Sequence, residues 1–367
     1  MKWALYNLTT TTKSGGVETS VWCLGQALAR RGHQVTVIGG QGERAWPPEA
    51  RDLQVLTFPY TPREAFPNLG SRAKKLLERL SLARRALPAL RSEGFQRWVA
   101  FKPYDLPFLL WARRQGGRVA YLSGGTEFFP GYAFLARRLD HFAANSAFNA
   151  GQIQKATGLV PAVNYLGVNR EVFRPRAPEP ELAARAGLAP GDEALVSAVR
   201  LVALKGIQHA IAALGLLARE RPRLKLLVAG EGPYRGELEQ KAAELGLADR
   251  VRLLGFLPQT RLAGFYALGR VALFPSLGEE SLGLSAAEAL ACGVPVVASR
   301  LGGLPEAVGP GGLLVEPRDA AGLAAAVGEL LDQPHRAEQM AAAGQARVAE
   351  LFDWDATAAR LEAGLAI

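Results

Sequence analysis

Two glutamates in the last third of the chain carry the most chemistry. Glu280 and Glu288 lie in the run FPSLGEESLGLSAAEALACGVPVVAS (residues 274–299), with seven residues between them. The run opens as an apolar strand ending at Pro275 and Ser276, passes through a loop holding Glu279 and Glu280, and turns helical after Gly283. Ser285 reads as the N-cap of that helix and Gly293 as its stop, with Pro295 in the next strand. Glu280 then stands at a strand end and Glu288 about one turn inside the helix. Carboxylates accept hydrogen bonds from hydroxyls, so the pair suits a sugar or a ribose. Gly283 lets backbone approach a ligand, and the loop amides with the helix N-terminus suit an anion. The plainer reading is an N-terminal helix charge at Glu288 beside a solvated acidic loop.

These residues need a scaffold that brings strand ends together. Short apolar runs alternate with helical periodicity along the whole chain. Strands are expected at 3–8, 34–39, 53–58, 98–101, 118–122, 141–145 and 162–166, then at 194–199, 224–229, 251–256, 271–275, 294–298 and 312–315. A helix is expected at 17–31, closed by Gly32. Ile207, Ala210, Ile211, Leu214 and Leu217 form one helical face after the strand at 194–199. Strand–helix alternation implies parallel sheets with right-handed crossovers. The expected fold is α/β: two Rossmann-like doubly wound domains facing a cleft, with ligands at the carboxyl ends of the strands. The expected division is 1–173, 174–350, and a final helix in 351–367 that packs back on the first domain. The Pro-rich, charged stretch RPRAPEPE (174–181) reads as the linker.

A length of 367 residues suits two domains, and 49% apolar residues suffice for two cores. The 40 Gly and 23 Pro are scattered without a repeat, which excludes collagen-like and solenoid folds. No uninterrupted apolar run approaches 18 residues, and the N-terminal apolar stretch is too short for a signal peptide. Cys23 and Cys292 match no metal or redox spacing and read as reduced core thiols. The expected location is the cytoplasm. Charge is uneven: residues 1–171 carry 23 basic and 11 acidic side chains, the remainder 20 and 23. The densest basic stretch is 71–91, with Arg72, Lys74, Lys75, Arg79, Arg84, Arg85 and Arg91 against Glu78, and Leu76, Leu77, Leu80, Leu87 and Leu90 beside them. It reads either as a basic amphipathic helix docking on an anionic membrane, at the inner face of the cell membrane, or as a solvated surface helix.

The glutamate run resembles the signature of the GT-B retaining glycosyltransferases, in particular glycosyltransferase family 4. Other matches follow in order: SGGVE with Gly15 and Gly16, RRGHQVTV (30–37), NSAFNA (145–150), LGVNREVF (166–173), Arg200 with Lys205 and Gly206, GEGP (230–233) and GGLPE (302–306). The resemblance covers nearly the whole chain. It implies a sugar transferred from a UDP- or GDP-sugar donor with retention, to a lipid-linked or cell-envelope glycan acceptor. It implies that Arg200 and Lys205 grip the donor diphosphate, that Glu280 contacts the donor sugar, and that Glu288 holds the ribose. Ser281, Leu282, Gly283 and Leu284 would offer backbone groups to the donor, and Leu254 and Phe256 would flank the nucleobase. Gly230, Gly232, Gly15 and Gly16 would complete the donor site, with no cofactor and no metal. Many members carry a histidine in the acceptor-side loop. Here that segment is YLSGGTEFF (121–129), which leaves Thr126 and Glu127 as acceptor-side candidates. A soluble sugar-phosphate acceptor, or a sugar-nucleotide epimerase, is the alternative.

Three features point elsewhere and fail. Asp353-Trp354-Asp355 mimics a metal-binding triplet but reads better as capping of the last helix. The glycines from Gly230 miss the dinucleotide fingerprint by one residue. The basic first half contains no nucleic-acid motif, so no nucleic-acid partner is expected.

Overall fold

The computed structural model describes residues 1–366 except 14, 43–46, 48–49 and 68–69. Ser14, which opens the SGGVE stretch, lies outside the described residues. The chain divides into two compact units, one formed by Met1–Gly167 with Trp354–Ile367, the other by Val168–Asp353.

The first unit contains β1 (Lys2–Tyr6), β2 (Gln34–Gly40), β3 (Gln54–Phe58), β4 (Arg97–Ala100), β5 (Arg118–Ser123), β6 (His141–Ala144) and β7 (Ala162–Val163). They form one parallel sheet in the order β3-β2-β1-β4-β5-β6-β7. The central strand β1 is buried on both faces from Trp3 to Tyr6, as a parallel sheet covered by helices requires. Helix α1 (Gly16–Arg30) turns Val21, Leu24 and Leu28 onto Leu5 and Val37, and Gly32 (φ 84) ends it. On the other face α2 (Ser71–Leu90) and α3 (Leu106–Arg114) cover Ala4, Tyr6 and Ile38 with Leu82, Ala86 and Leu109.

The second unit contains β8 (Glu193–Ala198), β9 (Leu224–Ala229), β10 (Val251–Leu253), β11 (Val271–Phe274), β12 (Val296–Ser299) and β13 (Gly312–Val315). Its sheet, again parallel, runs β10-β9-β8-β11-β12-β13. The helix Ile207–Leu217 lays Ile207, Ile211 and Leu214 on Leu195, Leu226 and Val228, as its period of 3.6 predicts. Thus all thirteen expected strands form, within a few residues of their expected ends.

The division between the units differs from the expected one. The chain leaves the first unit after Gly167, not after 173, and returns at Trp354. At Gly167 a Cβ would come within 2.6 Å of the Trp354 ring and backbone, so only glycine allows this approach. Val168 N–H donates to Phe352 O (2.8 Å), which starts the second unit. The Pro-rich stretch at 174–181 is therefore not a linker. It belongs to the second unit, where Glu179 pairs with Arg261 and Phe173 is buried against Tyr266.

The terminal helix (Trp354–Gly364) joins the core of the first unit through Trp354, Ala358, Leu361 and Leu365. Arg30 pairs with Asp355 (2.9 Å), and Arg31 and His33 with Glu362 (2.7 and 2.9 Å). Partly exposed ion pairs such as these contribute about 0–1 kcal/mol each. Burying each large apolar side chain contributes about 1.5–3 kcal/mol, so the apolar face holds this helix. Asp355 lies in its first turn, and Asp353 pairs with Arg170 (3.6 Å).

Candidate active site

Each sheet changes direction once: at β1/β4 in the first unit and at β8/β11 in the second. Ligands of open parallel sheets bind outside the strand ends at such a switch point. Candidate residues gather at both.

In the second unit β8 runs into a loop carrying Arg200, whose exposed guanidinium has no hydrogen-bond or ion-pair partner among the described residues. Leu201 N–H donates to Glu231 O (2.9 Å). Gly230 (φ 136) and Gly232 press on this loop so closely that a Cβ would lie 1.9 Å from Val199 O and 2.1 Å from Leu201 O. These two glycines thus shape the backbone around Arg200. Lys205 closes a single turn at Ala203–Lys205; it does not head the helix, which begins at Ile207 after Gly206. Gly206 (φ 72) abuts Pro275, where a Cβ would lie 1.7 Å from the carbonyl oxygen. Leu277 and Gly278 N–H both donate to Leu204 O (2.7 and 3.2 Å).

That stitching brings Lys205 Nζ to 2.9 Å from Glu280 Oε1. Ser276 Oγ donates to the same oxygen at 2.5 Å. Gly302 and Gly303 lie against the backbone of 279–282, and Gly303 N–H donates to Glu280 O (2.7 Å). Ser281 and the buried Leu282 lead to Gly283 (φ 89), which occupies the N-cap of the helix Leu284–Ala291. Ser285, expected at the cap, is the second residue of the helix, because the left-handed cap conformation falls on the glycine. Glu288 follows one turn in. Its half-buried carboxyl has no hydrogen-bond or ion-pair partner among the described residues, and burial raises it to about 8. Its proximity, after burial itself, helps push the Cys292 thiol up to about 12. Beyond β10, Gly230 N–H donates to Gly255 O (2.8 Å), Leu254 N–H donates to Val228 O (2.8 Å), and Phe256 stands 64% exposed.

In the first unit the segment after β1 is polar and buried. Asn7 donates to the Thr9 and Thr10 hydroxyls (3.2 and 2.8 Å), and Thr9 donates to Glu18 (2.6 Å). Gly15 is extended (φ 171), and a Cβ there would meet Glu18 Oε2 at 2.6 Å. Gly16 opens α1 with free space around it. After β4 come Lys102, Tyr104 and Asp105. Arg79 of α2 reaches in to pair with the buried Asp105. Glu127 accepts from Lys75 Nζ (2.5 Å) and Tyr104 O–H (3.2 Å). Burial opposes ionisation of Glu127, but Lys75 and Tyr104 hold it below the usual carboxylate range. Thr126 is exposed, with no hydrogen bond among the described residues. Lys102 is half-buried and likewise unpaired; burial lowers it, against the pull of Glu18, Asp105 and Glu127.

Sequence reading missed Ser276, Lys102 and Tyr104. Ser276 and Lys102 directly follow expected strands and Tyr104 comes two residues after Lys102, yet only strand order shows which strand ends meet. Helix α2 also differs from expectation. Leu82, Ala83, Ala86 and Leu90 are buried, Leu80 is 44% exposed, and Glu78 and Arg79 point inward. Arg63 pairs with Glu78 (3.4 Å). The outward basic face is reduced to the exposed Arg72, Arg84, Arg85 and Arg91, with Lys74 half-buried.

Among the described residues no three His, Cys, Asp or Glu side chains come together as a metal cluster, and no helix is long and apolar enough to cross a membrane. Two family models match: Glycosyltransferase Family 4 over residues 14–172 and Glycosyl transferases group 1 over 179–347. A GDP-mannose-dependent alpha-(1-6)-phosphatidylinositol monomannoside mannosyltransferase of Mycolicibacterium smegmatis is 35% identical over 274 residues, 68% of this chain and 70% of that one. A D-inositol 3-phosphate glycosyltransferase of Thermobispora bispora is 41% identical over 206 residues, 53% of this chain and 47% of that one. The chain thus matches about half the length of the latter relative. Sucrose-phosphate synthase from Thermosynechococcus elongatus superposes with a TM-score of 0.81 at 23% identity, covering 99% of this chain and 97% of that one. An Anabaena protein solved with UDP and glucose gives 0.80 at 21% identity, covering 100% and 99%.

Proposed function

The chain belongs to glycosyltransferase family 4, and we propose that it moves a hexose from a UDP- or GDP-sugar to an acceptor hydroxyl, with retention at the anomeric carbon. One observation carries this reading: an unpaired guanidinium, a lysine–glutamate pair and a partnerless carboxyl all stand around the switch point of the second sheet. Arg200 and Lys205 would bind the diphosphate and offset charge growing on it as the sugar–oxygen bond breaks, without a metal. The acceptor oxygen would bond to the anomeric carbon on the face that the diphosphate leaves. The departing phosphate oxygen takes the acceptor proton. Glu280 would accept from sugar hydroxyls and Glu288 from the ribose. Phe256, with Leu254, would flank the nucleobase. Gly230 and Gly232 serve the site by setting the Arg200 loop.

For the acceptor we favour a lipid-linked or envelope glycan, met at the inner face of the cell membrane. Support comes from the outward Arg and Lys of α2 around the exposed Leu80, and from the relative that acts on phosphatidylinositol monomannoside. The unpaired Lys102 beside Glu127 favours a second reading, a soluble polyol phosphate, in line with the relative acting on D-inositol 3-phosphate. The deciding experiment is a thermal-shift panel of UDP, GDP and ADP, followed by nucleotide release from the matching sugar conjugates with EDTA present. A ligand at 100 times its Kd adds about 2.7 kcal/mol of stability. No shift with any nucleotide and no release would overturn the reading, as would activity that EDTA abolishes and Mn²⁺ restores for its metal-free part. Epimerised donor without release would favour an epimerase.

A further inference from the structure

We propose that Ser276 is a positioning residue for the donor sugar, acting through Glu280; the proposal rests on the donor-site reading above. Ser276 is 1% exposed, at the carboxyl end of β11. A carboxylate only accepts, so the hydroxyl must donate its proton to Glu280. Both the serine and Lys205 engage Oε1, at 2.5 and 2.9 Å. Oε2 has no partner among the described residues. One hydroxyl donor and one ammonium charge on the same oxygen hold the carboxylate and leave the other oxygen for a substrate hydroxyl.

The serine's own place is fixed too. Pro275 before it abuts Gly206, and Leu277 after it donates to Leu204 O. The loop that carries Lys205 and the strand end that carries Ser276 are therefore one rigid piece, with Glu280 aimed by both. When a donor diphosphate draws Lys205 away, the serine is the contact that remains to hold Glu280. Its importance should then be greatest during turnover and small in nucleotide binding.

The test uses the full chain, with UDP or GDP as the binding probe and the corresponding sugar nucleotide as substrate. Removing a hydrogen bond to a charged group corresponds to roughly a 10–100-fold loss. S276A should lower kcat for nucleotide release by that factor, while the nucleoside diphosphate Kd by calorimetry stays within threefold. S276T, which keeps the hydroxyl, should recover most of the rate. In the E280Q background, S276A should add less than threefold, because both changes act on one contact. S276C, near in size and a weaker donor, should fall between and provides a second variant if S276A does not fold. Multiplying effects in the double variant, or S276A at the wild-type rate, would overturn the proposal. If the wild type neither binds a nucleotide nor releases one, the donor reading itself has failed.

Discussion

The two switch points hold charged side chains in place by different means. In the second unit the loops bearing Arg200, Lys205 and Glu280 are pressed backbone to backbone: Gly206 on Pro275, Gly230 on Val199, Gly302 on Glu280. In the first unit the charges are braced side chain to side chain: Arg79 by Asp105, Lys75 by Glu127, Glu18 by Thr9. Backbone bracing fixes a loop whatever its other side chains are, but demands glycine. Side-chain bracing ties a site to partners as far as 52 residues away, and changes whenever either partner does. The first suits a ligand part that stays the same, the second one that varies.

The contrast is broken most directly at the cations. Arg200→Ala and Lys205→Ala should each lower kcat/KM by roughly 10²–10³, or about 2.7–4 kcal/mol. In the free chain Lys205→Ala also leaves Glu280 held by Ser276 alone. Turnover within threefold of wild type for both would remove the donor site from this loop. Next come the glycines. Gly206→Ala forces a Cβ onto Pro275 O at a left-handed φ and should destabilise by about 2–4 kcal/mol. Gly16→Ala, with open space around it, should be neutral within about 0.5 kcal/mol. Equal denaturation midpoints for the two variants would contradict backbone bracing.

Glu288 gives a pH test. Its carboxyl lies at about 8 in the folded chain against an ordinary 4.5. Between those values the folded chain holds a proton that the unfolded chain has lost, so stability falls as pH rises through this window. Relative to wild type, Glu288→Gln should gain about 1–3 kcal/mol from pH 5 to pH 8, partial exposure limiting the effect. It should also weaken nucleoside diphosphate binding. A pH-independent difference would mean that the carboxyl ionises normally. At the other switch point, Lys102→Met should raise the acceptor KM about tenfold with the diphosphate Kd unchanged; calorimetry and initial rates separate the two. An unchanged KM would make Lys102 structural.

The smallest effect per residue belongs to α2. Replacing Lys74, Arg84, Arg85 and Arg91 with Ser should abolish sedimentation with anionic vesicles at low salt, each charge contributing about 1 kcal/mol. Binding should fade as the Debye length shrinks to roughly 8 Å at physiological ionic strength. Lys75 is left alone because it holds Glu127. No wild-type co-sedimentation at low salt would remove the membrane from the acceptor reading.

Legibility in the sequence follows the same divide. Strand positions show because buried parallel strands are apolar runs. Where ends drift, the cause is local geometry: β10 stops at Leu253 because Gly255 turns left-handed (φ 74). The donor candidates stood out because they fall in short contiguous motifs that resemble those of the family. Ser276, Lys102 and the Arg79–Asp105 pair did not, since their partners are set by strand order. The inward turn of Glu78 and Arg79 was hidden for the same reason: a charged helix position looks solvated until its buried partner is known.

The return of the chain to the first unit at Trp354 has a consequence for synthesis. Residues 168–353 form an uninterrupted unit whose whole sequence is made before Trp354 is added. The first unit, begun earlier, lacks Trp354, Leu361 and Leu365 from its core until that segment emerges. The unit that is begun first therefore receives its final core element after the second unit has been made. Until then its apolar face stays uncovered.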